Sequence, residues 1–290
     1  AIRGEGGWAS QPILQSPGAK GTLRMLARQF RGEDEMRSCK TVFVAAIGGM
    51  VALAAPGLAL AQNEMADVEI RTEHAGGNVH ALFGRGGNIG VLTTPEGHVL
   101  IDDQFAPLTE RIVAAVRAIE DAPIRFILNT HYHGDHTGGN ENLGEAGSTI
   151  VAHDNVRRRL VEGGDMAAGG LPVLTFSEAL SFHLGEEARA HHVHHAHTDG
   201  DSFIHFTESN VIHSGDLVFN KRYPYIDVDA GGNLLGLIEA AETILEIAEA
   251  DTAIIPGHGP MADRADIAQY LEVLETARDR VSALMEEGKS

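Results

Sequence analysis

His131-Tyr132-His133-Gly134-Asp135-His136 sets three imidazoles and one carboxylate within six residues, in the order H-x-H-x-D-H. A lone histidine is usually a packed or solvated side chain, but packing does not account for four ligand-type residues at this spacing. The chemistry they share is metal binding. Residues i and i+2 of an extended stretch point the same way, so His131 and His133 can grip one ion. Asp135 and His136 leave the strand end in other directions and can reach a second. Imidazole and carboxylate donors suit Zn2+, with Fe or Mn as compatible alternatives. The preceding run, Ile124-Arg125-Phe126-Ile127-Leu128-Asn129-Thr130, is short, apolar and β-rich, which predicts a buried strand. The motif therefore falls on the loop leaving a strand, where a rigid sheet can position it. Gly134, Gly138 and Gly139 permit a tight path there.

Two ions need more ligands than this motif carries, and three downstream segments offer them. They are His191-His192-Val193-His194-His195-Ala196-His197-Thr198-Asp199-Gly200-Asp201, Val211-Ile212-His213-Ser214-Gly215-Asp216 and Ala253-Ile254-Ile255-Pro256-Gly257-His258-Gly259-Pro260. Each brings a ligand-type residue to the end of an apolar run, as the first motif does. HYHGDH, AHTDGD, HSGD and PGHG, in this order, resemble the metallo-β-lactamase-fold superfamily, over essentially all of residues 68–287. The resemblance implies two zinc ions per chain. His131, His133 and His197 would hold one, Asp135, His136 and His258 the other, with Asp216 bridging. Zinc β-lactamases commonly carry Cys or Ser at the Asp216 position. The aspartate looks more like the glyoxalase II, lactonase and other general hydrolase branches.

Each residue also has a plainer reading. His258 sits between glycines and could be a turn histidine, and Asp216 could be a capping or turn carboxylate. The histidines at 191–195 read better as a solvated or adventitious metal-binding patch than as ligands. His197 is set apart from them because the family pattern places a ligand just before Thr198. Asp102, in Leu100-Ile101-Asp102-Asp103, resembles the family's aspartate that orients the metal loop, or is an ordinary strand-end turn. Asn233, in Gly231-Gly232-Asn233-Leu234, matches a segment in which an asparagine faces the substrate carbonyl; it is equally a helix N-cap. Lys221 or Arg222 could bind a substrate carboxylate, although their spacing differs from the family's.

Residues 1–35 are rich in Gly, Arg and Gln without sustained periodicity, and are expected to be an upstream or disordered segment. From Met36 a short basic start leads into an apolar, small-residue stretch ending in Ala59-Leu60-Ala61. This pattern predicts a secretory signal peptide over 36–61, cleaved before Gln62, rather than a membrane anchor. The expected location is periplasmic or secreted, with no stable membrane contact after cleavage. Residues 62–290 number 229, enough for a single domain with a large core. The single cysteine, Cys39, lies in the leader, so residues 62–290 hold no thiol and must bind metal through N and O donors. They carry 15 Lys and Arg against 37 Asp and Glu, a formal charge of −22. That balance argues against nucleic acid as a partner; the partner expected is a small-molecule substrate.

Strand patterns run over 68–83 and 89–101, with a Pro95-Glu96-Gly97 turn. Helices with one apolar face are expected over 109–120, 234–248 and 265–285, a basic helix over 155–162, a further strand near 142–152, and a hairpin over 203–214. Pattern alone yields an α/β or α+β domain; the resemblance sharpens it to an α+β, four-layer αββα sandwich. Gly84, Gly86 and Gly87 suggest a mobile loop over the site. The chemistry expected is hydrolysis by a metal-activated water, whose pKa near zinc falls to about 7. Asp135 would orient the nucleophile and shuttle its proton. The favoured substrate is a cyclic amide of the β-lactam type, on the strength of the export signal, the Asn233 segment and the basic pair. A lactone or thioester hydrolase with promiscuous β-lactamase activity is the alternative. A non-catalytic periplasmic zinc-binding protein is a reading of a different class, resting on the five histidines at 191–197.

Overall fold

Period-two hydrophobicity buried on both faces is what makes the central strands of this chain. In β5 (Ile124–Asn129), Phe126 and Leu128 face one core and Ile127 the other. In β4 (His98–Ile101), Val99 and Ile101 share the first core and Leu100 the second. A strand with two apolar faces needs a covering layer on each side. The computed structural model describes residues 65–289 and supplies both layers. The expected leader at 36–61 and the segment at 1–35 lie outside these residues. No helix among the described residues is long and apolar enough to cross a membrane.

The first sheet runs in chain order from β1 (Arg71–Gly76), β2 (Val79–Phe83) and β3 (Ile89–Leu92) through β4 and β5 to β6 (Thr149–His153) and β7 (Leu174–Phe176). Its first four strands pair antiparallel and β4 to β7 parallel. The second sheet has the order β12 (Ala253–His258), β11 (Val211–Phe219), β10 (Ser202–Phe206), β9 (Glu186–His192), β8 (Ala179–Leu184). Here only β11 and β12 run parallel. Val79, Leu92, Val99, Ile101, Leu128 and Val151 of the first sheet pack against Ala188, Ala190, Ile204, Phe206, Val211 and Ile255 of the second. Each fully buried aliphatic or Phe side chain contributes about 1.5–3 kcal/mol.

Helix α1 (Thr109–Ile119) lays Ile112 and Val116 on the outer face of the first sheet. Two short helices, α2 (Gly134–Thr137) and α3 (Asn140–Glu145), follow the H-x-H-x-D-H motif, and α4 (Asp154–Gly163) follows β6. Helices α5 (Leu234–Ile247) and α6 (Arg264–Glu286) cover the second sheet through Leu237, Ala241, Ile244, Ile267 and Leu274. The α6 N-terminus is closed by a reciprocal Asp263–Asp266 capping box. The layers are therefore αββα, as expected.

The β8–β9 hairpin is absent from the sequence reading. Its inward residues on β9 are Ala188 and Ala190, too small to write a strong strand signal, and on the edge strand Leu180, Phe182 and Leu184 are only half-buried. The ligand-bearing segments meet where β5, β11 and β12 end, at one edge of the sandwich. The β11–β12 register breaks on either side of Gly215, which takes φ +52°. Such a bulge re-aims the following side chain, here Asp216.

Candidate metal centre

His131 and His133 leave the end of β5 and meet His197, which sits in the loop between β9 and β10. His133 Nδ1 lies 3.1 Å from His131 Nε2 and 2.9 Å from His197 Nε2. Asp135 and His136 turn into α2 and meet His258 at the end of β12. His258 Nε2 is 3.3 Å from Asp135 Oδ2 and 3.5 Å from His136 Nε2. Asp216 lies between the two trios. Its Oδ2 is 3.8 Å from His131 Nε2 and 3.4 Å from both His197 Nε2 and His258 Nε2. Its Oδ1 is 3.1 Å from His136 Nε2, yet gains no hydrogen bond in this geometry although it is buried. Ligand atoms of His131, His133, His197 and Asp216 lie within 4.8 Å of one another, as do those of Asp135, His136 and His258.

This arrangement fits a pair of cations. Three ring nitrogens crowded together cannot all be satisfied by shared protons, and a buried carboxylate needs positive partners around it. The outward ring nitrogens of His131, His133, His136 and His197 are engaged. His136 Nδ1 faces Asp102 Oδ2 at 2.7 Å, His133 Nε2 faces Asp227 Oδ2 at 2.9 Å, and His197 Nδ1 faces the Tyr225 carbonyl at 2.8 Å. His131 Nδ1 lies 3.0 Å from Thr130 Oγ1, which itself donates to Asp102 Oδ2 at 2.8 Å. With N–H groups pointing outward, the inward nitrogens keep lone pairs for metal.

Burial and neighbouring charge divide the two trios. Burial, reinforced by His136, holds the His131 pKa well below the ordinary range, and burial takes His197 to about 4 against the pull of Asp216. Burial also works against protonating His136, but Asp216 and Asp102 outweigh it and raise its pKa well above normal. At His258 burial is outweighed by hydrogen bonds to Asp135 and Asp216, which lift it to about 9. For Asp216 burial is again the largest single influence, but His136 and His131 override it and hold the carboxyl well below its usual range. His131 and His197 are thus neutral and ready to coordinate, whereas loading a metal at His136 and His258 displaces protons.

Asp102 stands beneath the site as a buried strand-end residue with φ +65°, an uncommon conformation for a non-glycine residue. Its Oδ1 accepts the Thr130 N–H at 2.7 Å. One carboxylate therefore anchors both the strand end and His136. Asp102→Ala should weaken metal binding at the Asp135/His136/His258 trio by about 10–100-fold. Calorimetric metal titration would show it; unchanged affinity would mean that packing alone holds His136.

Several expected residues take other places. The Lys221 ammonium pairs with Asp266 on α6. Arg222 borders a cleft of about 310 Å³ that it shares with Arg71, Asn88 and His258. Asn233 caps α5, its Oδ1 accepting the Leu235 N–H at 2.8 Å, so only its amide nitrogen is left for a substrate. The histidines at 191–195 divide: His191 stacks on Phe203, His192 stacks on His153 and meets the His194 ring at 4.5 Å, and His195 faces the Gly231 carbonyl. The two trios with Asp216 are the metal-type groups among the described residues. The loop at 84–87 is a close-fitting wall. A Cβ on Gly87 would lie 2.2 Å from His136 Cε1, so its absence answers proximity more than mobility.

Sequence reasoning missed Thr130, Tyr132 and Asp227. Thr130 and Tyr132 flank the ligands and were open to inspection. Asp227 lies in Tyr225-Ile226-Asp227-Val228-Asp229, with nothing local to mark it.

Residues 82–279 match the metallo-beta-lactamase superfamily. The chain is 26% identical over 219 residues to the lactamase-like protein aptB of Emericella nidulans, covering 74% of this chain and 65% of that protein. It is 28% identical over 159 residues to a hydroxyacylglutathione hydrolase of a Polaromonas species, covering 52% of this chain and 55% of the relative. The matches thus span less than two thirds of these relatives' lengths. A metallo-beta-lactamase from Pontibacter korlensis has the same fold, with a TM-score of 0.61 and 20% identity over 72% of this chain and 99% of that one. The intact His/Asp cluster has the donor set of a metal centre, and a family match of this extent places the chain in the metallo-beta-lactamase superfamily.

Proposed function

We propose that this hydrolase opens an ester-type acyl bond, a lactone or a thioester, using two zinc ions. The observation that carries the reading is Asp216, a buried carboxylate between the two trios. With Asp135 it brings two negative charges to the cluster, which tempers the Lewis acidity of bound cations. A weaker electrophile suits a leaving group that departs without prior protonation, as a thiolate does, better than an amine. Bound zinc supplies polarisation of the carbonyl and a more acidic water. The protein's own part is geometric. Asp135, with its side chain 25% exposed against 5% for Asp216, faces solvent, and its Oδ2 is placed to take the proton of the attacking water. The imidazoles of His131, His133, His136 and His197 stay fixed by their outward hydrogen bonds. Relationship to a protein named for hydrolysing an acylglutathione supports the same substrate chemistry. Export to the periplasm or medium, expected from residues 36–61, belongs to this reading.

A β-lactam reading keeps two specific supports. Arg222 lines the same cleft as His258, where it could receive a substrate carboxylate. Asn233 uses only its Oδ1 at the helix end, which leaves its amide nitrogen to donate to a substrate carbonyl, whereas Lys221 is engaged with Asp266. The test is a panel of a lactone, an acyl thioester and a chromogenic cephalosporin, given to protein starting at Gln62 with and without a zinc chelator. Chelator-sensitive turnover should favour the lactone or thioester by at least about ten-fold in kcat/KM. A preference for the cephalosporin of that size would overturn the assignment.

A further inference from the structure

The segment 225–227 supplies no metal ligand, yet it touches two of the three imidazoles in the first trio. The Tyr225 carbonyl faces His197 Nδ1 at 2.8 Å, and the Asp227 N–H donates to the His197 carbonyl at 2.9 Å. Asp227 Oδ2 takes His133 Nε2 at 2.9 Å and also accepts the Tyr132 hydroxyl at 2.7 Å. Its Oδ1 accepts the Ala230 N–H at 3.0 Å. We propose that Asp227 is the positioning residue of the first metal site, orienting His133, and that Tyr132 in turn holds Asp227.

Two features single out His133. Its side chain is 20% exposed, whereas those of His131 and His197 are 1% and 0% exposed, so packing constrains its ring least. It also turns Nδ1 inward, while its two partners present Nε2. That orientation requires the proton on Nε2, and Asp227 is the acceptor that fixes this tautomer. The support continues outward. The Arg159 guanidinium lies 5.4 Å over the Tyr132 ring, and Arg159 is itself tied to Asp199 at 2.6 Å. Helix α4 thereby clamps the tyrosine that clamps the aspartate. None of these contacts reaches Asp135, His136 or His258, so the influence falls on one metal position.

The test reads metal binding, which stands apart from which substrate is hydrolysed. Zinc-loaded full-length protein is equilibrated with graded concentrations of a chromogenic chelator, and cobalt-loaded protein gives the ligand-field spectrum. For Asp227→Ala, the affinity of one ion should fall by about 10–100-fold, with the other changed by less than about three-fold. The cobalt bands should shift. Asp227→Asn should recover part of the loss, because an amide oxygen still accepts the Nε2 proton. Should Asp227→Ala not fold, Tyr132→Phe carries the test, with a several-fold loss confined to the same ion. Equal affinities and an unchanged spectrum, or equal weakening of both ions, would overturn the proposal. A wild type that binds no second ion would count instead against the two-metal reading above.

Discussion

Asp216→Ala is expected to abolish the two-metal state and to lower kcat/KM by about a thousand-fold, equivalent to about 4 kcal/mol of transition-state stabilisation. Asp216 is the side chain that faces both trios, its Oδ2 toward His131, His197 and His258 and its Oδ1 toward His136. Two divalent cations this close repel each other, and a carboxylate between them offsets that repulsion. Without it, Asp135 is the one carboxylate left among these residues, and imidazole ligands bring no negative charge to offset the rest. Metal content after gel filtration should fall from two ions to one or fewer. Asp216→Asn keeps the shape and loses the charge, so it should follow the same direction. Retention of both ions with activity within about ten-fold of wild type would show that Asp216 is not the shared ligand.

Gly257→Ala should be nearly as damaging, although it adds one methyl group and removes no ligand. A Cβ at this position would lie 2.0 Å from Asp216 Oδ1 and 2.6 Å from the carbonyl carbon and oxygen of Gly215. The backbone on one side belongs to the bulge in β11, and the carboxylate on the other is buried. Neither can retreat without disturbing the site. Overpacking of this kind destabilises by about 1–3 kcal/mol, and displacing a reacting group by about 1 Å costs about a hundred-fold in rate. Urea unfolding and steady-state kinetics on the same variant read both effects. Gly163→Ala is the matched control, since an added Cβ there meets nothing within 4 Å. A Gly257→Ala protein as active as that control would mean that β11 and β12 separate more easily than their pairing implies.

The ligand types and their order could be read from the chain because metal ligation is local in its first step. An extended strand end fixes which neighbours point together, and β5 provides that strand. The helices at 109–119, 234–247 and 264–286 were legible for a related reason, since one apolar stripe per helix suffices to mark it. The β8–β9 hairpin left little trace because small and half-buried residues line it. The site also drew on residues whose roles exist only across long sequence separations. Asp227 lies 94 residues from the His133 ring it holds, and Lys221 lies 45 residues from the Asp266 that occupies it.

Residue order and spacing by themselves marked the four ligand-type residues at 131–136 and an α/β or α+β domain, and the likeness to a hydrolase family implied the two-sheet architecture and the candidate ligands His197, Asp216 and His258, because strand periodicity and ligand chemistry are written over a few neighbouring positions. Only the tertiary structure decided which ring nitrogens turn inward, which carboxylates hold them, and which basic and amide groups are already engaged. Those outcomes depend on where the ends of β5, β11 and β12 meet, and hydrogen bonds a few ångströms long are satisfied by whichever groups packing brings within reach.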